Sequence, residues 1–180
     1  MPLDKITVDS IGANAITNIG IANGTIVTVD LGEQSVTSPK LAQNLSISLT
    51  RVLEEANINS IGIGGNVNID VANSTVYFFN ANTTANVTFN LRANTQNTFD
   101  SVTAIGETTS LAIAVKHGTV RHEANLYIDG VLQTLYYAGN TRPSNTSISS
   151  AEINLFSYSV FKTAANVYTV IAANTVFGLG

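Results

Sequence analysis

His117 and His122 stand five residues apart across a Gly-containing turn, with Glu123 beside the second, and imidazole and carboxylate are side chains that hold zinc. A zinc centre takes three or four such ligands, and this chain has 2 histidines and 0 cysteines. The two imidazoles are therefore expected as solvent-facing residues of a hairpin, with no metal and no cofactor. Glycoside hydrolysis needs a pair of carboxyl groups across the scissile bond. Glu107, Glu123, Asp129 and Glu152 are available, but Asp129 belongs to an Asp-Gly turn and the others are isolated, so no catalytic residue is assigned and no enzyme is expected. The third chemistry is recognition. Tyr136, Tyr137, Asn140 and Arg142 fall in the loop Tyr136-Tyr137-Ala138-Gly139-Asn140-Thr141-Arg142-Pro143. Aromatic faces stack on sugar rings, and Asn and Arg hydrogen-bond hydroxyls and carboxylates, so this is a candidate glycan-binding loop. The structural alternative places one tyrosine in the core and packs the loop on a neighbouring copy.

Such a loop needs a β scaffold, and the chain supplies one from about residue 61. Val67, Ile69 and Val71 alternate with Asn68 and Asp70; Val87, Phe89 and Leu91 alternate with Thr88 and Asn90; Leu111, Ile113 and Val115 alternate with small residues. Gly64-Gly65, His117-Gly118 and Asp129-Gly130 separate the runs, the last being a strong two-residue hairpin turn. Residues 61–180 are thus expected to form an antiparallel β-sandwich or jelly roll.

Ahead of it lies a different pattern. Ile6, Ile11, Ile16, Ile21, Ile26, Leu31, Val36 and Leu41 recur every five residues, eight times running. In an α-helix a five-residue step turns about 140° and scatters these side chains around the cylinder. In a straight strand five is an odd step, so successive members would alternate faces. Only a chain that winds once per repeat keeps them together, which makes residues 1–43 a β-prism or β-helix-like stem. In a lone four-sided helix the second inward positions would read Asp4, Asp9, Asn14, Ile19, Gly24, Val29, Gln34 and Pro39. Carboxylates and amides do not belong in such an interior without partners. The favoured arrangement is three chains sharing the apolar row, an oligomer seam that also serves attachment.

Residues 44–60 read as a short helical connector. The helical pattern itself runs over 38–57: Ser38 suits an N-cap and Pro39 the first helical position, and Leu45, Leu49 and Val52 give a possible helical seam. A single capping helix, or a strand at 45–49, are the alternatives. Taken whole, the expected fold is mainly β: stem, short helix, sandwich.

Composition limits the partners. Only 11% of the residues are charged, about a third are Asn, Thr or Ser, and the net charge is −4. No field is present to attract nucleic acid or an anionic membrane. No apolar stretch is long enough to insert into a bilayer, and the opening Met-Pro-Leu-Asp-Lys-Ile lacks a signal-peptide core, so synthesis in a cytoplasm is expected.

Three stretches carry a family likeness: Arg51-Val52-Leu53-Glu54-Glu55-Ala56-Asn57, Val76-Tyr77-Phe78-Phe79 and Ala85-Asn86-Val87-Thr88-Phe89-Asn90-Leu91-Arg92. So do Tyr127-Ile128-Asp129-Gly130, Ala138 to Pro143 and Phe156 to Thr163, in order and spacing. Together they resemble a domain of virion structural proteins of marine tailed phages, cyanophages especially. The stem resembles the Ile-rich repeats that precede such domains in fibre and decoration proteins. The resemblance implies a homotrimeric fibre component on the virion surface, made in the host cytoplasm and held by another virion protein (capsid, tail or baseplate) through the stem. A capsid decoration or head-fibre protein, and a tip module binding a host surface glycan, are the alternatives. One departure stands out: Tyr136 and Tyr137 lie where a Trp is expected, and the chain has 0 Trp.

Overall fold

The computed structural model describes residues 54–148 and 151–178. By its contacts the chain divides into two units, Met1–Arg51 and Val52–Gly180. The five-residue row and the seam residues Leu45, Leu49 and Val52 lie outside the described residues.

The second unit is mainly β, with twelve strands: β1 Asn57–Asn59, β2 Gly65–Asp70, β3 Val76–Phe79, β4 Val87–Arg92, β5 Thr108–His117, β6 Val120–Arg121, β7 Ala124–Ile128, β8 Val131–Leu132, β9 Leu135–Tyr137, β10 Thr146–Ser147, β11 Glu152–Ala164 and β12 Val167–Gly178. One helical turn, α1 at Phe99–Val102, interrupts them. A six-stranded sheet runs β1-β3-β5-β11-β12-β9, and a four-stranded sheet runs β2-β4-β7-β8. Their facing sides share one core. Phe79 and Phe156 of the first sheet meet Phe89 of the second at 6.2 and 5.9 Å between ring centroids. Phe89 is fully buried, and such a side chain contributes roughly 2–3 kcal/mol by leaving water.

Pairing is mixed, which corrects the expectation of an antiparallel sandwich. Until β7 the chain steps from one sheet to the other with nearly every strand. Consequently β1, β3 and β5 run parallel in one sheet, and β2, β4 and β7 run parallel in the other. Antiparallel pairing enters with β7–β8, β5–β11–β12 and the small pair β6–β10. The reason is local. Asp129 and Gly130, at φ 49° and 82°, and Asn166, at φ 55°, supply hairpin turns, whereas other connections cross between the sheets. His117-Gly118, expected as a hairpin, is one of these: β6 pairs with β10 rather than back onto β5.

Crossovers stack, and that explains Gly62-Ile63-Gly64. A Cβ on Gly62 would sit 2.7 Å from the Asn82 carbonyl oxygen, and one on Gly64 would sit 2.7 Å from Thr84 Oγ1. The Thr84 N–H donates to the Ile63 carbonyl at 2.9 Å, so the two crossovers bond directly. Asn57–Asn59, assigned to the end of the helical connector, instead form β1. Its alternation is the cause: Ile58 lies beside Phe78 on the outer face while the asparagines flank it.

The two outer faces differ. That of the four-stranded sheet is polar, with Asn90 Nδ2 donating to Asn68 Oδ1 at 3.0 Å and Arg92 Nε donating to Asp70 at 2.5 Å. That of the six-stranded sheet carries Ile58, Phe78, Leu155, Ile171 and Phe177, with Ile58 64% and Phe177 53% exposed.

Candidate functional site

The hairpin β7–β8 and strand β9 frame a cavity of about 260 Å³, lined among others by Asn125, Gln133, Thr134, Tyr137, Asn140 and Arg142. Strand alternation splits the tyrosine pair. Tyr136 lies beside Ile171 on the outer face and is 62% exposed; Tyr137 lies beside Ala172, on the core side, and lines the cavity. The chain then makes a 3₁₀ turn at Ala138–Asn140, with Gly139 at φ 65° and Asn140 at φ 54°, which brings Asn140 and Arg142 back over the same opening. Three of the four loop residues singled out from the sequence are thus brought together, and Tyr136 is not among them.

Arg142 is anchored on one side. Its Nη2 donates to the Ala124 carbonyl at 3.4 Å and to Asn125 Oδ1, and it lies 3.5 Å from Glu123. Burial raises the Tyr137 phenol above its ordinary range, Arg142 partly opposing this and Glu123 adding to it. The phenol is therefore a neutral hydrogen-bonding group at physiological pH, beside a guanidinium and several amides. With Leu126, Leu132 and Leu135 forming the rest of the wall, the lining suits a ligand that has an apolar face as well as hydroxyls. Asn125, Gln133 and Thr134 escaped the sequence reading; Asn125 carried a signal, as the outward position of the apolar-polar alternation Leu126-Tyr127-Ile128.

The histidines do not flank a hairpin at the surface. His117 is fully buried, continuing the inward row Leu111, Ile113, Val115 on β5, which corrects the solvent-facing assignment. Its Nδ1 lies 2.7 Å from Thr83 Oγ1 and 3.4 Å from the His122 backbone N–H. Since that N–H can only donate, Nδ1 accepts and Nε2 carries the proton, and Nε2 is buried without a partner. Burial first, then the nearby His122 and Arg121, pushes the imidazole down to about 4, with Glu152 acting the other way. Among the described residues no three His, Asp or Glu side chains are grouped to hold a metal ion.

Each candidate carboxylate has a structural contact. Glu107 accepts from the Ala104 N–H at 2.8 Å, and Glu152 pairs with Arg121 at 2.5 Å. Glu123 accepts from Asn86 Nδ2 at 3.4 Å, besides its ion pair with Arg142. Asp129 accepts from the Phe99 and Asp100 N–H groups at 2.7 and 3.0 Å, holding the start of α1. Asp100 accepts from Lys162 at 2.7 Å, from the Asn166 N–H at 2.7 Å and from the Tyr168 hydroxyl at 2.9 Å.

No protein-family model matches the chain, and comparison with curated proteins and with solved structures returned no match.

Proposed function

We propose that this chain is a non-enzymatic virion structural protein of a tailed phage, a homotrimeric fibre-like component whose N-terminal stem holds the trimer and whose β-sandwich is displayed as a knob. The observation that carries the reading is the row from Ile6 to Leu41, eight apolar residues at a step that no single helix or strand can bury. Sharing the row among three chains removes it from water at about 25 cal/mol per Å². The carboxylates of the β unit hold arginines, a lysine and backbone N–H groups, which supports a structural rather than a catalytic role. A capsid decoration or head-fibre protein is the near variant of the same proposal. The stem would dock on capsid, tail or baseplate.

The test is molar mass by light scattering on a sizing column. The expected mass is that of three chains for the unaltered protein and of one chain for Ile16→Asp, with the β unit still folded by circular dichroism. An Ile16→Asp variant that stays trimeric overturns the shared row.

The cavity at Tyr137, Asn140 and Arg142 favours one second reading, a receptor-binding knob that engages a host surface glycan. Its expected signature is retention on immobilised host-envelope polysaccharide, weakened about tenfold or more by Arg142→Ala. Retention no greater than on an unrelated polysaccharide ends that reading.

A further inference from the structure

Among the described residues two edge segments of the six-stranded sheet are unpaired, the outer side of β1 and the part of β12 beyond β9, and they lie at the same height. Register across the sheet joins Asn57, Tyr77, Ile113, Phe156 and Asn174 in one row. The next row but one joins Asn59, Phe79, Val115, Asn154 and Val176, and the outward row between them starts at Ile58 and ends at Thr175. On the far side of β12, β9 covers only Val170–Ala172, so among the described residues no strand pairs with Ala173–Gly178 along that edge. Nor does a described strand pair with the outer edge of β1.

Natural sheets guard open edges with lysine, proline or a bulge. Neither edge segment has these: one reads Asn57-Ile58-Asn59 and the other Asn174-Thr175-Val176. An independent observation lies at the same place. Asn174 Oδ1 and both amide atoms of Asn154 are buried with no hydrogen-bond partner. Unpaired buried amides are costly, and these lie on the free segment of β12 and on β11 one strand inside it, so this margin is the less well satisfied part of the sheet.

We propose that the six-stranded sheet continues from one copy of this chain into the next, β1 of one copy adding to the free segment of β12 of its neighbour. The two strands run parallel within the sheet, so a rotation about an axis along the strands sets them side by side. Row meets row: the exposed Asn57 arrives opposite Asn174, while Ile58 arrives beside Thr175. The exposed Ile58 of one copy and Phe177 of the next then share one outer face. The contact is head-to-tail, so copies joined this way close a ring or run on as a filament. A stem that holds three copies selects a ring of three, and in that number alone the inference rests on the stem reading.

The experiment is oxidative cross-linking of full-length Ile58→Cys/Thr175→Cys. The chain has 0 native cysteines, and both positions are exposed. Within one copy they lie four strand spacings apart, about 19 Å, too far for an internal disulfide. The expected result is reductant-sensitive dimers and a closed species of three chains, at least tenfold above either single-cysteine variant. A mass of three chains without linked species overturns the edge contact and leaves the stem; a single-chain mass without linked species overturns both. Linking by a single-cysteine variant as strong as by the double variant also overturns it, since like residues then meet. In the unaltered protein, the edge-facing amides of Asn174–Val176 are expected to exchange slowly with solvent deuterium. Exchange at open-strand rates overturns the contact without any substitution.

Discussion

The long hairpin of β11 and β12 ends in two unlike ways. At its turn, Lys162 is 6% exposed and donates to the carbonyls of Asp100 and Thr103 at 2.7 and 2.8 Å, besides its ion pair with the Asp100 carboxylate. Asn166 and Tyr168 close on the same carboxylate, and Asp129 holds the backbone of α1 from the other sheet. Every buried polar group named there has a partner within the chain. At the open end, both amide atoms of Asn154, the Oδ1 of Asn174 and the Nε2 of His117 are buried with none. A buried charge that is fully bonded seals a margin; unbonded amides leave it unfinished. The outer faces differ too, one laced by Asn68–Asn90 and Asp70–Arg92, the other setting exposed Ile58, Ile171 and Phe177 among serines, threonines and Lys116. One half of this unit completes itself, and the other is built to be completed.

The largest effect is expected where completion is internal. Lys162→Met keeps the length and apolar stem of the side chain but strips the Asp100 and Thr103 carbonyls of their donor, while the Asp100 carboxylate keeps Asn166 and Tyr168. Leaving a buried carbonyl without its donor costs about 1–3 kcal/mol. Urea unfolding is expected to show that loss with an unchanged m-value. A cost under about 1 kcal/mol would mean that water seals the turn as well as the lysine does, and the contrast between the two ends would go.

Much of this was legible from residue pattern. Alternation alone places Phe89, Leu91, Ile113 and Val115 inward, and Asp129-Gly130 alone announces the β7–β8 hairpin. The direction of pairing was not legible, because a strand of given alternation reads the same whether its neighbour runs parallel or antiparallel. That is decided by the crossovers, and the close approach of Gly62 to Asn82 is a contact between segments about twenty residues apart. Two buried polar residues had a readable signal. His117 is in phase with Leu111, Ile113 and Val115, and Lys162 with Phe156, Tyr158 and Val160. Chemistry argued for the surface, and strand period decided for the core. In the cavity, Tyr137 and Arg142 were readable by type, but the separation of Tyr136 from them follows only once β9 is known to be a strand. The open edges could not be seen at all, since an unpaired strand is a property of topology.

Acid separates the two ends by the pH at which each fails. The His117 imidazole is held at about 4 in the folded chain against 6.5 unperturbed, so between these values the unfolded chain binds the extra proton. Stability is therefore full above pH 6.5, falls as pH drops through the window to about 4, and loses nothing more to this group below it. The expected loss is roughly 1–3 kcal/mol across the window. The Asp100 carboxyl is held below its usual 3.8, chiefly by Lys162 and the Asn166 N–H, so its contribution is present above 3.8 and is lost only at lower pH. The open end should thus weaken first and the sealed turn second. Urea midpoints measured from pH 7.5 to 3 are expected to fall in two steps, and His117→Phe should flatten the first while leaving the second. A single step near pH 3.8, unchanged by His117→Phe, would mean that the buried imidazole gains a proton partner on folding. The open end would then be as well satisfied as the turn.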